Sequence, residues 1–294
     1  MPTPELHLPR FVRHRFGKPP LVLQRRDLEI VRLVAQHRVI TSDNLRLLVD
    51  GSGQNILRRL QKLFHAGYLD RPRSQRQFGN APFIYALGQR GAELLTEPDG
   101  RRPTTDWAEK NRQLGSHYLE HALMASDFQA ALRGAANACG TVVVERWLLD
   151  GAIHDAAWIE HRDRRERIPI VPDGTVLLNV LDGENPGRIC AVVEADRGTM
   201  TVNRFASKLR GYFAWWRSGA AQECLGVKNF LVVTITRSEE RARHLLEAAK
   251  AVSTRGLRMF VFAAESDYLP AARRVIFDSI WHTPADSKTH TLIE

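Results

Sequence analysis

A chain of 294 residues, 44% hydrophobic and 26% charged, has the composition of an ordinary globular protein with room for two cores. No apolar run approaches the ~20 residues that span a bilayer, and the N-terminus lacks a signal-peptide apolar core, so a cytoplasmic protein without a membrane partner is expected. The net charge of +9 is unevenly spread. Residues 1–95 hold 16 Lys and Arg against 7 Asp and Glu, while residues 96–294 hold 26 of each. That asymmetry points to a polyanion-binding module joined to an electrically balanced domain. Cys139, Cys190 and Cys224 are odd in number and widely spaced, which fits reduced, buried thiols better than disulfides or zinc ligands.

Residues 1–19 are basic and proline-containing, and read as an arm. Helical periodicity begins at Leu21, with Leu28, Ile30, Val31, Leu33 and Val34 marking a first helix that ends near His37. Val39-Ile40 is a short extended piece, and Thr41-Ser42-Asp43 is a cluster of N-cap residues opening a second helix. After Gly51-Ser52-Gly53 a third helix, Gln54–His65, turns Ile56, Leu57, Leu60, Leu63 and Phe64 inward. Its other face presents Gln54, Asn55, Arg58, Arg59 and Lys62. A basic polar stretch with Arg71, Arg73 and Arg76 precedes a strand at Pro82–Leu87 and a short helix at Gly88–Leu95. This order resembles the winged helix-turn-helix family over residues 20–95. The resemblance implies a helix-three face that enters the major groove of double-stranded DNA, with the basic wing reaching an adjacent groove or the backbone. The side-chain chemistry agrees, since amides and guanidinium groups read base edges while Lys and Arg neutralise phosphate.

Residues 96–105 read as a linker. Trp107–Arg133 has the pattern of one long helix and carries His117-Tyr118-Leu119-Glu120-His121, a literal match to a zinc-peptidase motif. That motif is short and common by chance, and packing is the expected role of these residues. Thr141–Leu149 is a strand containing Glu145, and His154–Arg167 reads as a strand end and loop. Thr175–Leu181 and Arg188–Val193 are β-rich runs around a turn at Asp182–Gly187. A hairpin centred on Glu184 and Asn185 sets Asp173 opposite Asp196 and Glu194 opposite Thr175. The period-two alternation of a strand then gathers Asp173, Glu194 and Asp196 on one face. An all-oxygen cluster of this kind suits Mg²⁺, with Mn²⁺ as a substitute. A helix from about Thr201 follows, with Phe205, Leu209, Tyr212, Phe213 and Trp216 as its apolar face. Then come a strand at Asn229–Ile235, a helix at Arg237–Ser253, a strand at Arg258–Ala263, and a last strand or helix at Val275–Trp281.

This succession, over residues 106–282, resembles the restriction-endonuclease-like fold. Its signature is Pro-Asp followed by (Asp/Glu)-x-Lys. Pro172-Asp173 and Glu194-x-Asp196 match the acids, whereas Asp196 stands where the lysine belongs. In some relatives the lysine migrates to the following helix, which makes Lys208 the candidate, with Arg197 or Arg204 as substitutes. The winged helix with HALMASDFQAAL, VPDG, VVEADRGT and SKLRGYFAWW resembles the replication-relaxation family of plasmids and integrative elements, over roughly residues 20–265. The implied fold class is α/β (α+β overall): a winged helix-turn-helix, then a restriction-endonuclease-like domain with a central mixed sheet. The implied function is DNA binding in plasmid replication and DNA relaxation. Mg²⁺-dependent nicking would use Asp173, Glu194 and Asp196 as metal ligands and catalytic acids, and Lys208 as the charge-stabilising group. A second class stays open: a non-catalytic regulator or replication accessory whose nuclease-like domain forms a homodimer or docks replication proteins.

Overall fold

The computed structural model describes residues 12–13, 21–72, 81–96, 107–149, 151–161, 164–182, 186–252, 257–269 and 274–293. Most of residues 1–20, residues 73–80 of the expected wing with Arg73 and Arg76, residues 97–106 of the expected linker, and residues 183–185 of the expected turn lie outside these ranges. The chain divides into two compact units, Met1–Ser126 and Asp127–Glu294. Among the described residues no helix is long and apolar enough to cross a membrane.

In the first unit the elements are α1 (Arg25–His37), β1 (Val39–Thr41), α2 (Ser42–Leu48), α3 (Gly53–His65), β2 (Leu69–Asp70), β3 (Ile84–Leu87) and α4 (Gln89–Leu95). The expected caps form: Thr41 Oγ1 accepts the Asn44 amide at 3.2 Å and Ser52 Oγ that of Asn55 at 3.4 Å. Each satisfies an amide that the helix itself cannot pair. The strands make an antiparallel sheet in the order β1-β3-β2, with Val39 opposite Ala86 and Leu69 opposite Leu87. Ile30, Val34, Leu45, Ile56, Leu60 and Leu63 are fully buried between the helices and this sheet.

The pattern of one long helix from Trp107 is broken. Helix α5 (Trp107–Arg112) stops, and α6 (Ser116–Cys139) starts just after Gly115, a poor helix former. Helix α5 and the first half of α6 group with the first unit, although the sequence pattern assigns them to the second domain. Asn111 explains this, because its Nδ2–H donates to Leu87 O at 2.9 Å while its Oδ1 accepts from Arg38 at 3.1 Å. Leu119 is buried in a cluster with Val39, Ile84 and Ala86.

The second unit is α/β. Its strands are β4 (Val142–Leu149), β5 (Asp155–His161), β6 (Arg164–Ile170), β7 (Gly174–Val180), β8 (Gly187–Asp196), β9 (Leu231–Thr236), β10 (Phe260–Ala264), β11 (Trp281–His282) and β12 (Thr289–His290). Its helices beyond α6 are α7 (Val202–Arg217), α8 (Ala220–Leu225), α9 (Glu239–Lys250) and α10 (Glu265–Tyr268). Seven strands form one mixed sheet, ordered β12-β11-β10-β9-β8-β7-β4, in which β8, β9 and β10 are mutually parallel. Both faces of this parallel centre are covered, as its continuous apolar strands require. Val192, Val232 and Phe262 share a core with Phe205, Leu209, Tyr212 and Trp215 of α7 and Leu245 of α9. Phe128 stacks edge-on against Tyr268 and Trp281, with Trp147 at 6.2 Å.

Three sequence readings change. Residues 154–167 are no loop: β5 and β6 pair as a hairpin, with Asp155 opposite Ile170 and His161 opposite Arg164. Ala157, Ile159, Ile168 and Ile170 face inward, an alternation diluted in sequence by the charged residues between them. On α7, Trp215 rather than Trp216 is fully buried, and its indole N–H donates to Asp155 Oδ2 at 2.7 Å. Of the three free cysteines, Cys190 is buried and Cys224 is exposed.

Helix α4 yields a sharp test. A Cβ on Gly91 would stand 2.2 Å from the Tyr68 carbonyl oxygen, which is backbone and cannot swing aside. Alanine ordinarily favours a helix over glycine by about 1 kcal/mol. Here Gly91→Ala is expected to destabilise instead, by roughly 1–3 kcal/mol of overpacking. A thermal or urea melt measures it, and a raised midpoint contradicts this packing.

Candidate functional site

In the first unit, α3 presents Gln54, Asn55, Arg58 and Lys62 to solvent. Two further cations stand at its start, where the Arg26 guanidinium lies over Gly51 and that of Arg46 over Gly53. A Cβ on those glycines would meet side-chain nitrogens at 3.0 and 2.6 Å. Arg26 and Arg46 lie on α1 and α2, and nothing in their sequence positions signals that they meet at the α3 N-terminus. That end of the helix carries unpaired amides and the positive pole of the helix dipole, both of which favour an anion.

Two residues expected on this surface are inside. Arg59 forks onto Asp27: its Nε–H donates to Oδ1 at 2.8 Å and an Nη2–H to Oδ2, with a further bond to Val22 O at 3.1 Å. Asp27 is 0% exposed, and its Oδ2 also accepts the Gln24 amide at 2.8 Å. The bond to Asp27 raises the Arg59 pKa above its ordinary value against the opposing effect of burial. Arg71 lies in an aromatic box, with its guanidinium 4.5 Å from the Phe64 ring centre and 4.2 Å from that of Phe83. It donates to the Tyr85 hydroxyl at 2.7 Å. Both arginines fit the internal architecture of the unit rather than phosphate contact.

In the second unit the carboxylates sit where β8 approaches α7 and α9. The hairpin register differs from the expected one by two residues: Gly174 faces Val193 and Thr175 faces Val192, so Asp173 falls in line with Glu194. A shift of two keeps every side chain on its face, so the grouping of the three acids on one face is unaffected. Asp173 donates its amide to Val193 O at 2.9 Å, and its Oδ2 accepts the Ala195 amide at 2.8 Å. Glu194 is 3% exposed. Its Oε2 accepts from Lys208 Nζ and its Oε1 from the Tyr212 hydroxyl. Lys208 and Tyr212 are four apart on α7 and so project from one helix face. Thr234, paired with Glu194 in register on β9, is fully buried, and its Oγ1 has no hydrogen-bond partner.

Asp196 belongs to a different contact. Arg241, in the first turn of α9, donates from Nε to Oδ1 at 3.1 Å and from Nη2 to Oδ2 at 2.9 Å, and the Gly198 amide adds a bond at 2.5 Å. Sequence spacing gives no sign of Arg241, which lies 45 residues away. Glu145, the further candidate acid, sits at a β-bulge and pairs with Arg188 at 3.1 Å. Among the described residues no group of three or more His, Cys, Asp or Glu is arranged to hold a metal. The motif residues His117, Glu120 and His121 flank Leu119, whose burial accounts for the helix packing in this stretch.

Burial is the largest influence on Glu194 and pushes its pKa up to about 7. The Asp173 charge adds to it, while Lys208 and Tyr212 oppose it. Burial and the neighbouring Glu194 also raise Tyr212 well above the usual phenol range. The site is therefore a buried acid whose charged form is disfavoured by burial, clasped by the Lys208 ammonium group and the Tyr212 hydroxyl as donors.

A family model described as replication-relaxation matches residues 31–231. Comparison with curated proteins and with solved structures returns no match.

Two tests follow from this geometry. Arg59→Ala strands a buried carboxylate and is expected to cost about 3–5 kcal/mol of stability. Arg58→Ala, at an exposed position, stays within about 0.5 kcal/mol of the natural protein, and denaturant melts separate the two. For Glu194, a pKa raised from 4.5 to about 7 means the natural protein is favoured at acid pH and loses stability as pH climbs through that window. Glu194→Gln lacks this loss. The stability of the natural protein minus that of the variant should fall by about 3 kcal/mol between pH 4.5 and 7, then level off. A difference that grows with pH means that the Lys208 ion pair outweighs burial.

Proposed function

Because the chain belongs to the replication-relaxation family, we propose that it is a DNA-binding protein of a mobile element acting in plasmid replication and DNA relaxation. The first unit is read as a winged helix-turn-helix with α3 as its recognition helix. The observation that carries this reading is the row of exposed Gln54, Asn55, Arg58 and Lys62 along α3, with Arg26 and Arg46 at the helix start. Amides and Arg58 read base edges, while the remaining cations and the α3 N-terminus hold phosphates and set the register on the duplex. In the full-length protein, the paired change Arg58→Ala with Lys62→Ala should weaken duplex binding at least tenfold. If both residues contact phosphate, it should also flatten the slope of log affinity against log salt by about 1.8. Fluorescence anisotropy with labelled duplex measures both. Unchanged affinity in the paired variant removes this reading.

A second activity is favoured by one observation: Lys208, from the helix after β8, reaches Glu194 beside Asp173. This is the arrangement expected of a restriction-endonuclease-like site whose lysine has moved to the helix. Mg²⁺ would be held by Asp173 and by the Glu194 oxygen that now accepts from Lys208, whereas Asp196 stays bidentate on Arg241. The orphaned Thr234 hydroxyl next to Glu194 is consistent with a small polar guest. When bound, the ion would supply Lewis-acid chemistry for phosphodiester cleavage. Lys208 would then turn from Glu194 to a phosphate oxygen and offset negative charge developing there. Tyr212 keeps the Glu194 carboxylate oriented. Incubating supercoiled plasmid with Mg²⁺ or Mn²⁺ tests this reading: the natural protein should nick it, and Glu194→Gln and Lys208→Ala should not, with duplex affinity retained. Absence of nicking by the natural protein leaves the non-catalytic reading, in which this domain forms a homodimer or docks replication proteins.

A further inference from the structure

Residues 96–294 carry equal numbers of acidic and basic residues, yet charge is not evenly spread over the surface of the second unit. Between the β5–β6 hairpin and α7 runs an open groove. Trp158 stands in its wall with 53% of its surface exposed, on a unit that buries Trp215 and Trp281 completely. The Arg165 guanidinium lies over the Trp158 ring at 4.6 Å from its centre. From the opposite side α7 contributes Arg210, Phe213 and Arg217. These are spaced i, i+3 and i+7, so they share one helix face, and the two arginines stand about 10.5 Å apart along it. Among the described residues, Glu160, opposite Arg165 in the hairpin register, is the one acid lining the groove, against three arginines.

The indole does not stand alone: Phe213 and three arginines line the same groove, and an apolar patch rimmed by polar groups marks an interaction surface. The chemistry that satisfies an open aromatic face flanked by guanidinium groups is a nucleobase with its phosphates. Duplex DNA cannot supply it, because its bases are already stacked on one another. We propose that this groove binds single-stranded DNA, with one unpaired base stacked on Trp158 and the neighbouring phosphates on Arg210 and Arg217. Arg165 holds the ring at a fixed attitude and adds a planar cation next to the stacked base. The site is separate from α3 and from Glu194, and does not depend on either functional reading of those residues. It gives the protein a place to hold a strand that has been opened or displaced.

The test uses the full-length protein with a labelled thymidine oligonucleotide, an abasic oligonucleotide of equal length and charge, and a duplex. The natural protein should bind the thymidine strand more tightly than the abasic one. Trp158→Ala should lose about tenfold in affinity for the thymidine strand and abolish that preference, with duplex affinity and melting temperature unchanged. Trp158→Phe should keep most of the preference. Arg210→Ala with Arg217→Ala should lower affinity for both single strands and flatten the salt slope by about 1.4. If Trp158→Ala binds the thymidine strand as tightly as the natural protein, the proposal is overturned. It is equally overturned if single-strand and duplex affinity fall together, or if thymidine and abasic strands bind the natural protein alike.

Discussion

A carboxylate carried on a parallel strand inside a sheet, under a helix, is largely withdrawn from water. Glu194 is in that position, and the contact between β8 and α7 is organised by the need to satisfy it. Two donors from successive turns of α7 take its two oxygens, and those donors are aimed by the packing of Phe205, Leu209 and Trp215 around them. Core packing and polar satisfaction are therefore one constraint here. A rotation of α7 that improved either would spoil the other. The strands on both sides fix Glu194 as firmly as the helix does, since β7 and β9 leave β8 no freedom to twist it outward.

A similar device holds the first unit together. Asp27, fully buried in α1, ties Arg59 of α3 while capping its own helix through Gln24. Arg59 thereby anchors α3 to α1 from within, while its neighbour Arg58 stays exposed. Arg71 plays a comparable part among Phe64, Phe83 and Tyr85. Of the basic residues that give this unit its positive charge, some build the surface and others hold up what lies beneath it. Net charge alone cannot divide them.

The second unit shows the converse. Its overall balance conceals strong local arrangement, with Arg241 committed to Asp196, Arg188 to Glu145, and Arg165, Arg210 and Arg217 gathered along the groove beside Trp158. The Arg241–Asp196 pair is buried and structural, whereas Arg188 is largely exposed beside Glu145. The groove differs in having three cations for one acid, so its potential is open to an outside anion.

The sequence by itself determined most of the element order, though not the β5–β6 hairpin or the break between α5 and α6, together with the caps at Thr41 and Ser52, the inward faces of α1 and α3, and the common face of Asp173, Glu194 and Asp196. These follow from local rules: capping chemistry, the 3.6-residue repeat, and the period of two that survives even a two-residue error in register. Resemblance rather than geometry also drew attention to Lys208, which the structure brings to Glu194. What only the tertiary structure decided is partnership. Arg59 and Arg71 are written like surface cations and become interior ones, because acids and rings distant in sequence come to lie beside them. Asp196 is written like a ligand and is taken up by Arg241. The β5–β6 hairpin was hidden because its polar outward face outnumbers its four inward apolar residues, and Trp158 cannot be told from a core tryptophan until its face is known to be open. A side chain's neighbours on other elements depend on how whole elements pack, and no window of local sequence carries that information.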